Sequence, residues 1–335
     1  MSRIAILGSG SWGTALALCL ARRGDHEIHL WAHNPAIAED IRRQRENRAY
    51  LPGFLVPETV TAGFDLQAAV AGAEIVMGAV PSQHVREIFS SASPALLPSQ
   101  LLVSAAKGIE HGSFLRMTEV IGQALAGRGL NLPCAVLSGP SFAQEVAAGM
   151  PTAITIASAE SGIATLLQRQ FASPGLRLYT NDDVVGVELG GALKNVIALA
   201  AGIAYGLELG HNSVAALITR GIAEITRLAL ASGGRRETLA GLSGLGDLVL
   251  TCTGPLSRNR LVGVELGRGL AIPEILERLK GRVAEGMETS AAALGLAAKH
   301  GVEMPITRQM ADILNQGKSP REALRELMAR PGRDE

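Results

Sequence analysis

Lys194 stands in Glu188-Leu189-Gly190-Gly191-Ala192-Leu193-Lys194-Asn195-Val196-Ile197-Ala198, a stretch with almost no other charge. An ammonium in such company either is buried at a site or snorkels outward along its own methylenes. Asn195 beside it, two glycines a turn earlier and Ala198 a turn later leave a helix face with room for a ligand. For proton exchange at neutral pH a lysine must fall from ~10.4 toward ~7 to 8, through burial or a second cation. Lys107, in Ala105-Ala106-Lys107-Gly108, is a candidate for that cation, with Gly108 turning the backbone away; the alternative is a loop lysine in water. Asp247, in Ser243-Gly244-Leu245-Gly246-Asp247-Leu248, is a carboxylate among glycines and apolar residues, and reads equally as a helix N-cap. Ser257-Arg258-Asn259-Arg260 offers a hydroxyl, two guanidiniums and an amide at an expected helix start, suited to a phosphate or simply to water.

Something must position these groups. The chain opens with a short apolar strand, Ile4 to Leu7, that feeds Gly8-Ser9-Gly10-Ser11-Trp12-Gly13 and then a helix. Gly8 permits the tight turn, Gly10 lets backbone N–H groups approach a pyrophosphate, and Gly13 lets helix pack on strand. Further strands are expected at Glu27 to Trp31, Val60 to Ala62, Ile75 to Val80, Leu101 to Ala105, Ala135 to Ser138, Ala153 to Ala157 and Leu176 to Tyr179, alternating with helices. The pattern is that of an α/β domain, a mostly parallel Rossmann-type sheet with helices on both faces. Ligands of such sheets lie outside the carboxyl ends of the strands, where Gly8, Val80-Pro81, Lys107 and Ser138-Gly139-Pro140 fall. After Asn181 the apolar spacing becomes helical throughout. The expected division is therefore a dinucleotide-binding domain over 1–181 and an all-helical domain over 182–335, with Asn181-Asp182-Asp183 supplying helix caps. Arg330 to Glu335 is polar and expected to fray.

A dinucleotide site of this kind serves NAD or NADP. No carboxylate stands ~20 residues past the glycine turn to accept the ribose hydroxyls. The second strand ends instead at His29-Leu30-Trp31-Ala32-His33-Asn34, followed by Arg42, Arg43 and Arg45. His33 and one of these arginines could meet a 2′-phosphate, or the arginines could line a solvated helix face. His26 and His29 read as surface positions.

Composition bounds the function class. Lys plus Arg and Asp plus Glu both number 31, so no global basic field draws the chain to nucleic acid or anionic lipid. No run of ~20 uninterrupted apolar residues suggests a membrane span, and Arg3 leads straight into a strand rather than a leader peptide. Three scattered cysteines, Cys19, Cys134 and Cys252, suggest neither disulfides nor zinc. No His/Asp/Glu cluster reads as a metal site. A reducing cytoplasm fits this usage. The long apolar helices of the second half favour a homodimer.

Taken together the motifs resemble the bacterial-type NAD(P)-dependent glycerol-3-phosphate dehydrogenases. The resemblance runs through Gly8 to Ala15, Leu30 to Asn34, Tyr50-Leu51-Pro52, Ala105 to Gly108, Leu137 to Ala143, Leu189 to Asn195, Leu245 to Leu248, Ser257 to Arg260 and Val283 to Gly286, nearly the whole chain. It implies reversible reduction of dihydroxyacetone phosphate to sn-glycerol 3-phosphate by NADPH or NADH, without a metal, for phospholipid synthesis. By that similarity Lys194 is the acid/base and Lys107 bridges substrate and cofactor. Asp247 orients Lys194 or a substrate hydroxyl, Gly139 and Ser141 hold the substrate, and Ser257, Arg258 and Asn259 bind its phosphate. Ser11, Trp12, His33, Tyr50, Ala143, Arg258, Val283 and Glu285 contact the cofactor with Gly8, Gly10, Gly13 and Lys107. The nearest rival is a β-hydroxyacid or ketopantoate-type NADP dehydrogenase, whose carboxylate Ser257-Arg258-Asn259 does not exclude. A nucleotide sensor without turnover is a second rival, and it would not need Lys107, Lys194 and Asp247 together.

Overall fold

The computed structural model describes residues 2–279 and 283–332. Among these residues ten strands form: β1 (Ser2–Leu7), β2 (His26–Trp31), β3 (Glu46–Asn47), β4 (Leu51–Leu55), β5 (Val60–Gly63), β6 (Ile75–Gly78), β7 (Leu101–Ser104), β8 (Cys134–Ser138), β9 (Thr152–Ala157) and β10 (Leu176–Asn181). Eight of them make one sheet in the order β10-β9-β8-β7-β6-β1-β2-β5. Every neighbouring pair is parallel except β8 with β9. The α/β architecture expected from the alternating pattern is the one present. Ile4, Ile6, Ile28, Leu30, Met77 and Val103 are buried in its core. Each such side chain contributes about 1.5–3 kcal/mol when fully withdrawn from water. The helix Ser11–Ala21 is buried from Gly13 to Ala21, which explains why its sequence is apolar all round rather than along one stripe.

The antiparallel pair β3–β4 was not expected. Its second strand reads Leu51-Pro52-Gly53-Phe54-Leu55, and Pro and Gly hide strand character from a pattern reading. His26 is also not at the surface. It is 1% exposed at the start of β2, and its Nε2 lies 2.8 Å from the Gln170 carbonyl oxygen. His29 is half-buried, and burial is the largest cause of its lowered pKa.

The chain divides into two compact units, Met1–Lys107 with Arg116–Glu188, and Gly108–Leu115 with Leu189–Glu335. The break between Glu188 and Leu189 falls inside a 23-residue helix, Val184–Gly206. Asp183 Oδ1 starts that helix by accepting the Gly186 N–H at 2.8 Å. Among the described residues, this helix alone is long and apolar enough to cross a membrane, yet 89% of its apolar window is buried within the protein. Its apolar character belongs to a core helix.

The described part of the second unit contains helices and no strands. In it the helices Val184–Gly206 and Arg258–Gly267 pack backbone to backbone. A Cβ on Gly202 would stand 2.1 Å from the Arg260 carbonyl oxygen, and one on Gly263 would stand 2.1 Å from that of Leu199. Gly206 and Gly267 repeat the contact one turn on. The two helix backbones touch there, and only hydrogen fits between them. Of the tail, Arg330 pairs with Glu303 at 3.3 Å; Arg333 to Glu335 lie outside the described residues.

Candidate active site

At the first glycine turn the three glycines do different work. Gly8 has φ +118°, and a Cβ there would meet the Ala79 carbonyl oxygen at 2.7 Å. A Cβ on Gly13 would lie 1.9 Å from the Gly8 carbonyl oxygen. Gly10 has open space on that side, with nothing within 4 Å. Gly10 is also the N-cap of Ser11–Ala21, and neither a side-chain cap nor an acidic residue in the first turn competes for the helix's first N–H groups. An anion is the natural partner for such a terminus. The Trp12 indole N–H is buried without a partner beside it. These features fit a dinucleotide: the turn would hold its pyrophosphate, and the indole N–H remains to be satisfied.

The carboxyl ends of β8, β7, β6 and β1, neighbours in the sheet, form one edge. Lys107, just past β7, donates from Nζ to the Gly139 carbonyl oxygen at 3.1 Å, and Ser141 Oγ donates to the same oxygen at 2.9 Å. Gly139 itself has φ +137°, with Ile154 3.0 Å from where a Cβ would sit. Three residues named from the sequence thus share one hydrogen-bonded cluster. Ala143 begins the next helix, Ala143–Ala148. Tyr50 accepts a 2.7 Å hydrogen bond from Ser11 Oγ at its carbonyl, tying β3–β4 to the glycine turn.

Beyond β2, His33 is exposed, its ring set edge-on to Trp31 at 5.9 Å. The arginines are less available than their sequence suggests. Arg45 binds the carbonyls of Val56, Pro57 and Val60. Arg43 pairs with Glu39 at 2.5 Å. Arg42 donates to the Ala62 carbonyl oxygen at 2.9 Å while keeping 55% of its side chain exposed.

In the second unit, Lys194 is buried and does not snorkel. Its Nζ donates to Asp247 Oδ1 and, at 2.9 Å, to Thr251 Oγ1. The pair is almost dry, with side-chain exposures of 9% and 1%. Asp247 is the first residue of the helix Asp247–Thr253, not its N-cap. A π-helical turn, Leu242–Gly246, precedes it and aims the carboxylate at the lysine. Against expectation, Gly190 leaves no ligand space: a Cβ there would meet the Ser243 carbonyl oxygen at 2.6 Å, so this glycine seats the π-helical turn. Thr251 was not singled out from the sequence. Only its spacing, one helical turn after Asp247, could have suggested it. Burial pushes the neighbouring Cys252 thiol up to about 12, with Lys194 opposing and Asp247 adding to the shift. That thiol is inert at neutral pH.

Ser257 caps the helix Arg258–Gly267 by accepting the Arg260 N–H at 3.2 Å. Arg258, the first residue of that helix, is exposed. Asn259 is buried; its Nδ2 donates to Asn195 Oδ1 at 2.9 Å and its Oδ1 accepts the Gly286 N–H at 3.0 Å. The amide therefore links the residue after Lys194 to the start of the helix Glu285–Lys299, where Val283 and Glu285 lie. Among the described residues no group of three or more His, Cys, Asp or Glu side chains could hold a metal ion.

Comparison with known proteins accounts for both units. The model of the NAD-dependent glycerol-3-phosphate dehydrogenase N-terminus matches residues 3–164, and that of the C-terminus matches 183–325. A glycerol-3-phosphate dehydrogenase [NAD(P)+] of Acidobacterium capsulatum is 60% identical over 338 residues, covering 100% of both chains. The chain belongs to the NAD-dependent glycerol-3-phosphate dehydrogenase family. The crystal structure of the glycerol-3-phosphate dehydrogenase from Coxiella burnetii superposes with a TM-score of 0.93 at 42% identity, covering 98% of this chain and 99% of that one. A ketopantoate reductase from Ralstonia eutropha shares only the fold, at 20% identity and a TM-score of 0.59 over 96% of this chain and 99% of its own. Within the dehydrogenase family, the glycine turn and the Lys194–Asp247 pair belong to the regions matched by the N-terminal and C-terminal models respectively.

Proposed function

We propose that the protein reduces dihydroxyacetone phosphate to sn-glycerol 3-phosphate, reversibly, with NADPH or NADH as reductant. The observation that carries the reading is the buried Lys194 ammonium held by Asp247 and Thr251. When bound, the nicotinamide supplies the hydride. Lys194 delivers the proton from Nζ to the carbonyl oxygen, and Asp247 and Thr251 hold that nitrogen still so that little reorganisation accompanies the transfer. Lys107, steadied on the Gly139 carbonyl, adds a second positive charge for the developing alkoxide and contacts the cofactor; Gly139 and Ser141 hold the substrate.

Arg258 and the helix start at Ser257 bind the substrate phosphate, an anion suited to an N-terminus and a guanidinium. Asn259 acts there through its hold on Asn195 and Gly286. Phosphate binding far from the reacting carbon then fixes the carbonyl for attack. Ser11, Trp12, His33, Tyr50, Ala143, Arg258, Val283 and Glu285 contact the cofactor.

The product supplies the phospholipid backbone, and the enzyme works in the cytoplasm, a reading supported by three free cysteines. Exposed Leu245, Val249, Leu256 and Leu261 support a homodimer, to be tested by light scattering. The deciding experiment follows oxidation of NADPH, and separately NADH, by purified protein with and without dihydroxyacetone phosphate. Oxidation that depends on this substrate supports the reading, and the ratio of the two rates gives the cofactor preference. Oxidation with ketopantoate or a β-ketoacid instead would overturn the substrate assignment.

A further inference from the structure

We infer that Asn47 is a positioning residue of the cofactor site, setting the direction of the Gly10 N–H through the peptide that precedes it. Asn47 lies on β3, remote in sequence from the glycine turn, and is 1% exposed. Its Nδ2 donates to the Ser9 carbonyl oxygen at 2.7 Å and to Thr14 Oγ1 at 2.8 Å, which uses both amide hydrogens. Thr14 Oγ1 in turn donates to the same Ser9 oxygen at 3.2 Å. Asn47 Oδ1 accepts the Tyr50 N–H at 3.2 Å, and the Tyr50 carbonyl accepts from Ser11 Oγ. The β3–β4 hairpin thus grips the turn from both sides of Gly10.

The consequence follows from peptide geometry. The Ser9 carbonyl and the Gly10 N–H belong to one peptide unit, and no cis bond occurs among the described residues. In a trans peptide the two groups point in opposite directions. Two donors holding the Ser9 oxygen toward Asn47 and Thr14 therefore aim the Gly10 N–H away from them. Gly10 is the helix N-cap without side-chain competition, and its Cβ side is open. If the peptide rotated, it would present a carbonyl oxygen to an anion where it now presents a donor. Glycine at position 10 would permit that rotation at little steric cost, so the restraint must come from outside the turn. Asn47 supplies it together with Thr14, and the buried, fully used amide makes the arrangement costly to break, since any group orphaned there has no water to turn to.

The inference rests on the dinucleotide reading, and its test separates the two. NADPH binding is measured by fluorescence titration and ADP binding by calorimetry, with no substrate present, for wild type, Asn47→Ala, Asn47→Asp and Thr14→Val. The expected result is NADPH and ADP bound roughly 10- to 100-fold more weakly by Asn47→Ala. Asn47→Asp, which sets a carboxylate against the Ser9 oxygen, is expected to lose more. Thr14→Val, which keeps one donor on that oxygen, is expected to lose less. The KM for NADPH is expected to rise in step with the loss of affinity.

A purely structural role would lower the melting temperature of Asn47→Ala while leaving both affinities within twofold of wild type, and that result overturns the inference. Should the Asn47 variants fail to fold, unchanged NADPH affinity in Thr14→Val overturns it equally. Wild-type protein that binds NADPH but does not turn over dihydroxyacetone phosphate refutes the proposed reaction and leaves this inference standing.

Discussion

The two units prepare their ligand groups by opposite means. In the first, the groups offered are backbone: uncapped N–H groups at a turn whose close packing needs Gly8 and Gly13 and whose open side is at Gly10. In the second they are buried side chains, an ammonium, a carboxylate and a hydroxyl drawn from positions 53 and 57 residues apart in the chain. A backbone site is local and written in consecutive residues. A side-chain site of this kind exists only when helices have packed, and it carries a large desolvation cost that the partners must offset. The first should therefore fail by losing shape, and the second by losing charge balance.

Lys194→Ala should show the largest effect: turnover about 10²- to 10⁴-fold lower in steady-state kinetics, with NADPH affinity by titration unchanged. Wild-type turnover in that variant would remove Lys194 from the chemistry. Asp247→Ala removes one member of a nearly dry ion pair and leaves the buried ammonium without that carboxylate. Breaking such a pair costs about 3–5 kcal/mol, to be read by chemical denaturation. A loss below about 1 kcal/mol would mean that the second unit tolerates charge imbalance and the contrast is wrong.

The glycines separate shape from binding within the first unit. Gly13→Ala places a methyl against the Gly8 carbonyl, an overlap worth about 1–3 kcal/mol or more in stability. Gly10→Ala meets no protein atom within 4 Å, so its melting temperature should move little while NADPH binding weakens. Equal stability losses in the two variants would refute the division of labour.

The smallest effect concerns pH. Glu224 is buried and accepts from the Ile306 N–H, the Thr307 N–H and the Thr307 hydroxyl, at 2.9, 2.9 and 2.7 Å. Burial, outweighing those bonds, raises its pKa above the ordinary 4.5. A raised native value means that the folded protein holds this proton after the unfolded chain has released it. Stability from this group is therefore fullest below about 4.5 and falls as pH rises through the native value. Glu224→Gln should flatten that slope when denaturation midpoints are compared across the window. A slope identical to wild type would show that Glu224 does not titrate there. Glu188, also raised by burial but facing Arg116 at 2.5 Å, contributes with the same sign in the first unit.

Much of the sheet was legible because its strands are apolar runs bounded by turn residues, and parallel strands buried on both faces must read so. The β3–β4 hairpin was not, since Pro52 and Gly53 interrupt the pattern and its role depends on Asn47 meeting Ser9 and Thr14. Composition also misplaced His26 and Gly190. His26 looked like a surface residue until the Gln170 carbonyl met it. Of the two readings of the arginines, Arg43 suits the solvated helix face, paired there with Glu39, while Arg45 turns to three carbonyls. Gly190 looked like ligand space until the Ser243 backbone filled it.

What the amino-acid order determined by itself is whatever depends on neighbours along the chain: the glycine turn, the alternation of strand and helix, the caps at Asp183 and Ser257, and the lysine set in an apolar helix. These follow from backbone sterics and periodicity, which act over a few residues. Tertiary structure alone decided that Lys194 turns inward to Asp247 and Thr251, that Asn259 reaches Asn195 and Gly286, and that Asn47 holds the Ser9 carbonyl. Burial removes water as an alternative partner, so the buried polar group must find its match in whatever the packing brings near, however far away that match lies in the chain.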